Sequence, residues 1–254
     1  MTSIRFVFSD IAVMLGRSLK HVFRSMDTII TVTVMPVAIM LMFVYVFGGA
    51  IQTGTDNYVN YLLPGILLIA IASGTSYASY RLFTDLQSGI FERFNSMPIA
   101  RSSVLWGHVL SSLVSNAVSV AIIVGIALVM GFRPTGGVLE WLIAAGILAL
   151  FTLALTWMAM IAALAAKTAD GAAAFSYPII FLPFVSSAFV PTDTMPFAVQ
   201  VFAENQPTTP LVESLRNALT GQPLGAEVGI ALLWWTGILV VSYALAALVH
   251  RRRI

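Results

Sequence analysis

Runs of apolar residues long enough to cross a bilayer recur along this chain, separated by short polar segments. A transmembrane helix needs about 20 such residues, within a range of about 17–25. Six segments qualify: residues 28–48, 59–80, 104–130, 138–166, 172–189 and 226–249. The fifth is the shortest and carries Pro178 and Pro183. Charge enters these segments only at Glu140 and Glu227, near the start of the fourth and sixth, where a carboxylate reaches the headgroups. The pattern predicts an all-α integral membrane protein, a single six-helix bundle over residues 28–249 followed by a basic tail at 250–254.

The polar segments carry their own signals. Residues 1–27 interleave Phe6, Phe8, Ile11, Leu15 and Leu19 with Arg5, Arg17, Lys20 and Arg24, which predicts an amphipathic helix on the membrane surface rather than a signal peptide. After the second span, Leu82, Phe83, Leu86, Ile90, Phe91, Phe94 and Met97 recur at helical spacing in a segment too polar for lipid. A short amphipathic helix is expected there, ended by Pro98. Two readings stay open for it: a surface connector, or a helix that inserts into a groove of a partner. Between the fifth and sixth spans, Pro191, Pro196, Pro207, Pro210 and Pro223 punctuate two apolar pieces, 197–202 and 211–219, each too short to span. Re-entrant or interfacial helices are expected, with Glu213 and Arg216 spaced to form an intrahelical pair or a solvated surface bridge.

Composition agrees: 59% of residues are hydrophobic and 9% charged, against about 25% charged in a soluble domain. The distribution of charge then orients the chain. Of 13 Lys and Arg residues, only Arg133 and Arg216 fall on one side of the predicted bundle, so the remaining eleven share the other. Lys and Arg concentrate in short cytoplasmic segments, which places both termini in the cytoplasm of a multi-pass protein of the cell membrane. Asp56, Glu140, Asp193, Glu204, Glu213 and Glu227 populate the opposite side. The positive charge is dispersed between lipid-length spans, which argues against a nucleic-acid partner and leaves membrane lipids as the basic residues' contact.

Candidate chemistry is sparse. No cysteine is present, which excludes disulfide, thiolate-metal and thiol-nucleophile chemistry. Lys20 and Lys167 follow Leu19 and Ala166, so no phosphate-binding Gly-Lys-Ser/Thr loop exists and the chain is not expected to hydrolyse ATP. His21, His108 and His250 each stand alone in sequence near predicted membrane boundaries, with no metal-site spacing. Proton- and ion-coupled carriers usually place ionisable groups along their path. None lies at mid-membrane here, which favours transport driven by a separate ATPase, or a channel. Small polar stripes run through two spans, Ser73, Ser76 and Tyr80 in the second and Ser111, Ser115 and Ser119 beside Asn116 in the third. Helix packing and contact with a translocated substrate are both open for them.

Two motifs add a resemblance. The segment Gly89-Ile-Phe-Glu-Arg-Phe-Asn-Ser-Met-Pro-Ile-Ala-Arg101 is similar to one that follows the second span in type-2 ABC transporter permeases of the daunorubicin-resistance class, with Glu92, Arg93 and Pro98 matching. Phe181-Leu-Pro-Phe-Val-Ser-Ser-Ala-Phe-Val-Pro-Thr-Asp-Thr-Met-Pro196, followed by Asn205-Gln-Pro207 and Glu213-Ser-Leu-Arg216, resembles the same family's fifth span and its outer re-entrant helices. Gln206, Thr208 and Thr209 depart from the apolar or aromatic residues that relatives often carry around Pro207.

The resemblance implies a membrane subunit that binds no cofactor itself and works with two copies of a cytoplasmic ABC ATPase, which carries ATP and Mg, and with a second copy of itself or a close paralogue. It implies a coupling helix at 87–98, with Gln87, Gly89, Phe91, Glu92, Arg93, Phe94 and Pro98 as contacts, and a smaller contact at Lys167 and Asp170. Spans two and five would line the path, giving Ser73, Ser76, Tyr77, Tyr80, Phe175, Tyr177 and Phe181 as substrate candidates. Pro191, Pro196, Pro207, Glu213 and Arg216 mark the outer re-entrant region. Three functions compete: export of an amphipathic drug or lipid-like metabolite, export of a lipid-linked glycan, and a membrane anchor or assembly protein that moves nothing.

Overall fold

The computed structural model of the chain describes residues 26–51, 57–88 and 101–252. The predicted amphipathic helix at 1–25 lies outside the described residues. Helix α1 covers Met26–Leu41 and runs on as a π-helical turn over Met42–Phe47. Helices α2 (Tyr58–Gln87), α3 (Arg101–Val129) and α4 (Val138–Ala165) follow. The chain then breaks into α5 (Ala169–Ala174), α6 (Ser176–Phe181) and a 3-10 turn over Leu182–Val185. Helices α7 (Phe197–Asn205) and α8 (Thr208–Thr220) precede α9 (Ala226–Arg252). No strand is found among the described residues.

Among the described residues, four helices are long and apolar enough to cross a membrane: α2, α3 over Leu105–Val129, α4, and α9 over Ala226–Val249. Shorter apolar helical stretches lie at Val32–Phe47 and Ala169–Val185, where the first and fifth spans are expected. The fifth is not the continuous helix 172–189 that its hydropathy predicts. Proline has no N–H and its ring clashes with the carbonyl four residues earlier. For Pro178 that carbonyl is on Ala174, where α5 ends. Pro183 then sits in the 3-10 turn, and Ser186 leaves it in an extended conformation.

The second departure is at the far end of α2. Residues 81–87, expected to open a separate surface helix, are its last two turns. Leu82 and Phe83 are buried there against Leu105, Val109, Trp157 and Met160. Their apolar spacing continues that of the span, so packing carries the helix past Arg81 and Asp85. Helix α3 likewise begins at Arg101, before the predicted residue 104.

Helix α2 is the centre of the bundle: 72% of its most apolar window is buried, against 17% for α9. It packs on α1, α3, α4, α5, α6 and α8. Because lipid tails are as apolar as leucine, membrane helices associate through close contact and hydrogen bonds between them. Ser79 supplies both, donating to the carbonyls of Ala159 in α4 at 3.0 Å and Ala172 in α5 at 2.7 Å. Leu233, Val240 and Val241 of α9 are exposed, as a lipid-facing helix requires. Below, the end of the bundle holding Gln87, Arg101 and Lys167 is the basic end, and that holding Glu140, Glu213 and Glu227 the acidic end.

Gly221 closes α8 at the acidic end with φ +64, a left-handed conformation that favours glycine. Its backbone packs so closely on the α3–α4 connection that a Cβ would lie 2.8 Å from the Thr135 carbonyl oxygen. Gly221→Ala is therefore expected to cost about 1–2 kcal/mol, the usual penalty for a left-handed non-glycine residue. A thermal unfolding midpoint equal to that of wild type would refute this.

Candidate functional site

The residues expected to couple the chain to a partner gather at the basic end, as far as they are described. Gln87 is exposed at the last turn of α2, and Lys167 and Asp170 are exposed at the turn between α4 and α5. Thr168 caps that turn, its hydroxyl accepting from the Gly171 N–H at 3.1 Å. Gly89, Phe91, Glu92, Arg93, Phe94 and Pro98 lie outside the described residues. One contact there was not read from the sequence. His108 in α3, far from alone, is buried and places Nε2 3.3 Å from Asp85 Oδ2 in α2. The pair joins the two helices flanking the 88–100 segment. Aligning α2 and α3 as an antiparallel hairpin was the available signal, since both residues stand within about two turns of that segment.

The path candidates divide into two groups. Ser73 and Ser76 are taken up by packing: Ser73 Oγ donates to Ile69 O at 2.8 Å in its own helix, and Ser76 Oγ donates to Ala173 O in α5 at 3.1 Å. Tyr77 and Tyr80 stack on one another with centroids 6.3 Å apart, and Tyr80 is exposed. Tyr177 and Phe181 are exposed on α6, 59% and 65%, whereas Phe175 faces a groove between α4 and α9 that includes Trp234. Aromatic surface is thus available on α2 and α6, held in place by the Ser76 and Ser79 hydroxyls that bind α2 to α5.

The acidic end is built around the broken fifth span. Non-helical backbone at membrane depth persists only where its polar groups find partners in the protein or in water. Here side chains supply them. Gln206, in the short link between α7 and α8, donates through Nε2 to the carbonyls of Leu182, at 3.3 Å, and Val185. The Tyr58 hydroxyl donates to Phe189 O at 2.9 Å. Arg216 of α8 donates through Nε to Tyr61 O at 3.2 Å and through Nη2 to Ser187 O, while its guanidinium carbon lies 3.7 Å from the Tyr61 ring centroid. Arg216 therefore ties three elements together: the start of α2, the unwound segment and α8. The expected intrahelical pairing with Glu213 gives way to this arrangement because two carbonyls and a ring face demand the fork that a guanidinium offers. Pro207 contributes through its carbonyl, which accepts from Trp235 Nε1 of α9 at 3.1 Å. Pro191 precedes a short 3-10 turn and Pro196 caps α7, so the prolines end and start elements as their spacing implied.

Burial works against charge in this cluster. It lowers the Arg216 pKa from its usual value, opposed by Tyr61 and Glu213, and it raises that of Glu213, opposed by the Ser187 hydroxyl and the Arg216 charge. A carboxyl whose folded pKa is raised binds more protons folded than unfolded between the two values. Stability then falls as pH rises through that window. Glu213→Gln is expected to flatten this part of a pH–stability profile of the purified protein. Superimposable profiles for variant and wild type would contradict the assignment.

A bundle of lipid-length helices, one broken span closed by Gln206 and Arg216 at one end, and an Asp85–His108 contact between α2 and α3 at the other define a helical membrane-embedded domain. Residues 9–220 match the model of the ABC-2 type transporter family, and the chain belongs to that family. It is 28% identical over 250 residues to the daunorubicin resistance ABC transporter permease protein DrrB1 of Streptomyces coeruleorubidus, covering 95% of this chain and 88% of that protein. It is 25% identical over 240 residues to the probable doxorubicin resistance ABC transporter permease protein DrrC of Mycobacterium tuberculosis, covering 93% and 86%.

Proposed function

We propose that this chain is the membrane-spanning subunit of an ATP-driven exporter in the cell membrane, with six spans and both termini cytoplasmic, and that it moves an amphipathic small molecule outward. The match to the ABC-2 family over residues 9–220 carries this reading, and the similarity of nearly the whole chain to drug-resistance permeases supports an amphipathic substrate. Two ATPase subunits binding ATP and Mg would engage the 87–98 segment and, more weakly, Lys167 and Asp170. A second copy of the chain or a close paralogue would complete the path. Nucleotide favours one of two states of such a complex by binding it more tightly, and that difference in affinity is the driving force.

In this scheme the exposed aromatics Tyr80, Tyr177 and Phe181 meet the cargo or the second subunit, and Arg216 and Gln206 seal the outer end. The Asp85–His108 pair lets α2 and α3 move as one body beneath the coupling segment. The test is the ATPase activity of the permease reconstituted with its ATPase partner, with and without candidate amphiphiles. Glu92→Ala is expected to remove at least half of the amphiphile-stimulated activity while the complex still assembles. Undiminished stimulation in the variant would remove the coupling assignment, and failure of any ATPase to associate would favour the anchor reading instead.

A further inference from the structure

Asn116, in the middle of α3, is only 2% exposed and stands in the wall of two cavities. Toward the basic end is a narrow crevice of about 40 Å³ between α2 and α3, lined by Gly74, Tyr77, Ser111, Ser115 and Ser119. Toward the acidic end is an apolar groove of about 480 Å³ between α3 and α4, with Leu67 and Ile71 of α2 among its walls and Trp141 on its rim. The crevice has room for a water-sized group. The groove falls within the size range of small-molecule sites, about 300–1,000 Å³.

The hydrogen bonds at this junction are one short. Asn116 Nδ2 donates to Ser112 O at 2.9 Å and to Ser112 Oγ at 3.2 Å. The other polar side chain of the groove, Thr152, donates its hydroxyl to Leu148 O at 2.7 Å. Asn116 Oδ1 is buried without a partner. An unmet acceptor in an apolar interior is destabilising, so a donor brought to it is favoured. Residue 74 faces the same oxygen: a Cβ there would lie 2.1 Å from Asn116 Oδ1, so only glycine in α2 accommodates the amide at this position. Gly125, farther along the groove, adds open space, since a Cβ on it meets nothing within 4 Å.

We propose that this junction binds an amphiphile within one subunit, its apolar body in the α3–α4 groove and a compact hydroxyl or N–H donor at Asn116 Oδ1. The inference rests on the export reading for its physiological role and deepens it by naming the recognition chemistry. The site is an acceptor, so it selects a donor and rejects the ether made by methylating it. It is separate from the exposed aromatic surface of α2 and α6. A resident lipid with a free hydroxyl shares this chemistry with a transported cargo.

The test uses the full chain in nanodiscs and two matched probes, 1-pyrenemethanol and its methyl ether, with energy transfer to pyrene from the five tryptophans, of which Trp141 lines the groove, as the signal. The alcohol is expected to bind wild type at least fivefold more tightly than the ether. Asn116→Ala should bring the two probes to equal affinity, Trp141→Phe should reduce the transfer, and Gly125→Phe, whose Cβ would meet nothing within 4 Å and whose ring would occupy groove volume, should abolish specific binding of both. Equal affinity of the probes for wild type, or a preference that survives Asn116→Ala, overturns the proposal, as does transfer unaffected by Trp141→Phe. Folding of each variant is checked by its elution as a single species, and Gly125→Phe decides the matter if Asn116→Ala fails that check. With the ATPase partner added, occupancy that falls on turnover marks cargo and occupancy that persists marks resident lipid; both uphold the site. Because binding is read on the permease alone, failure of the export reading and failure of the site are distinct results.

Discussion

Arg216→Met is expected to destabilise the protein by about 2.5–8 kcal/mol, from two buried carbonyls losing their donor at about 1–3 kcal/mol each and a cation–π contact worth about 0.5–2 kcal/mol. The methionine fills similar space, so the loss isolates the polar contacts. Those contacts cannot be replaced from nearby solvent, because Tyr61 O and Ser187 O both sit inside the packed acidic end. Arg216→Lys should fall between the two, since an ammonium keeps the charge but does not reproduce the planar fork. The measurement is the thermal midpoint of the purified protein alongside the yield of folded material. A methionine variant within a degree or two of wild type would show that the unwound segment is held by something other than Arg216.

Gln206→Leu attacks the same segment one turn earlier and is expected to cost about 2–3 kcal/mol. The carbonyls of Leu182 and Val185 lose their donor. The loss is smaller than for Arg216 because the glutamine's own Oε1 is buried without a partner, a penalty that leucine removes. Residues that restrain one element do not act independently. Combining Gln206→Leu with Arg216→Met should therefore cost less than the two losses added, since the unwound segment can be released only once. Strict additivity would mean that the two side chains hold separate structures. In the exporter, both variants should also raise basal ATPase activity relative to stimulated activity if sealing the outer end is what these contacts accomplish.

Several features were legible in the sequence because they depend on local properties alone. Hydropathy over twenty residues does not require knowledge of neighbours, and four of the predicted spans are helices of transmembrane length. The short helices α7 and α8 were legible for the same reason: prolines delimit them, and neither is long enough to cross lipid. The fifth span was misread because hydropathy registers apolar content and not the backbone hydrogen bonds that Pro178 and Pro183 remove. The end of α2 was misread because Arg81 and Asp85 mark a membrane boundary, whereas the helix continues as long as Leu82 and Phe83 find a buried surface.

The candidate sites were less legible than the helices. Arg216 and Glu213 are three residues apart, and spacing alone suggests a partner on the same helix; the stronger demand came from carbonyls 29 and 155 positions away. His108 looked solitary because Asp85 lies across a connecting segment. Gln206 was visible only as a departure from an apolar pattern, and its reason is the unpaired backbone it serves. The serine stripe in α2 left packing and substrate contact both open, and which carbonyls Ser76 and the neighbouring Ser79 reach depends on where α5 is broken.

By itself the sequence determined that the chain belongs in a membrane and roughly where its helices lie, since these follow from composition and run length. Only the tertiary structure decided that α2 is the central helix, that Arg216 and Gln206 close the broken span, and that Asn116 is left with an unmet acceptor between a narrow crevice and an apolar groove. The physical reason is the same in each case. A hydrogen bond or a cavity is a property of groups brought together from distant positions, and in an apolar interior the cost of leaving a polar group unpaired, rather than its spacing along the chain, selects its partner.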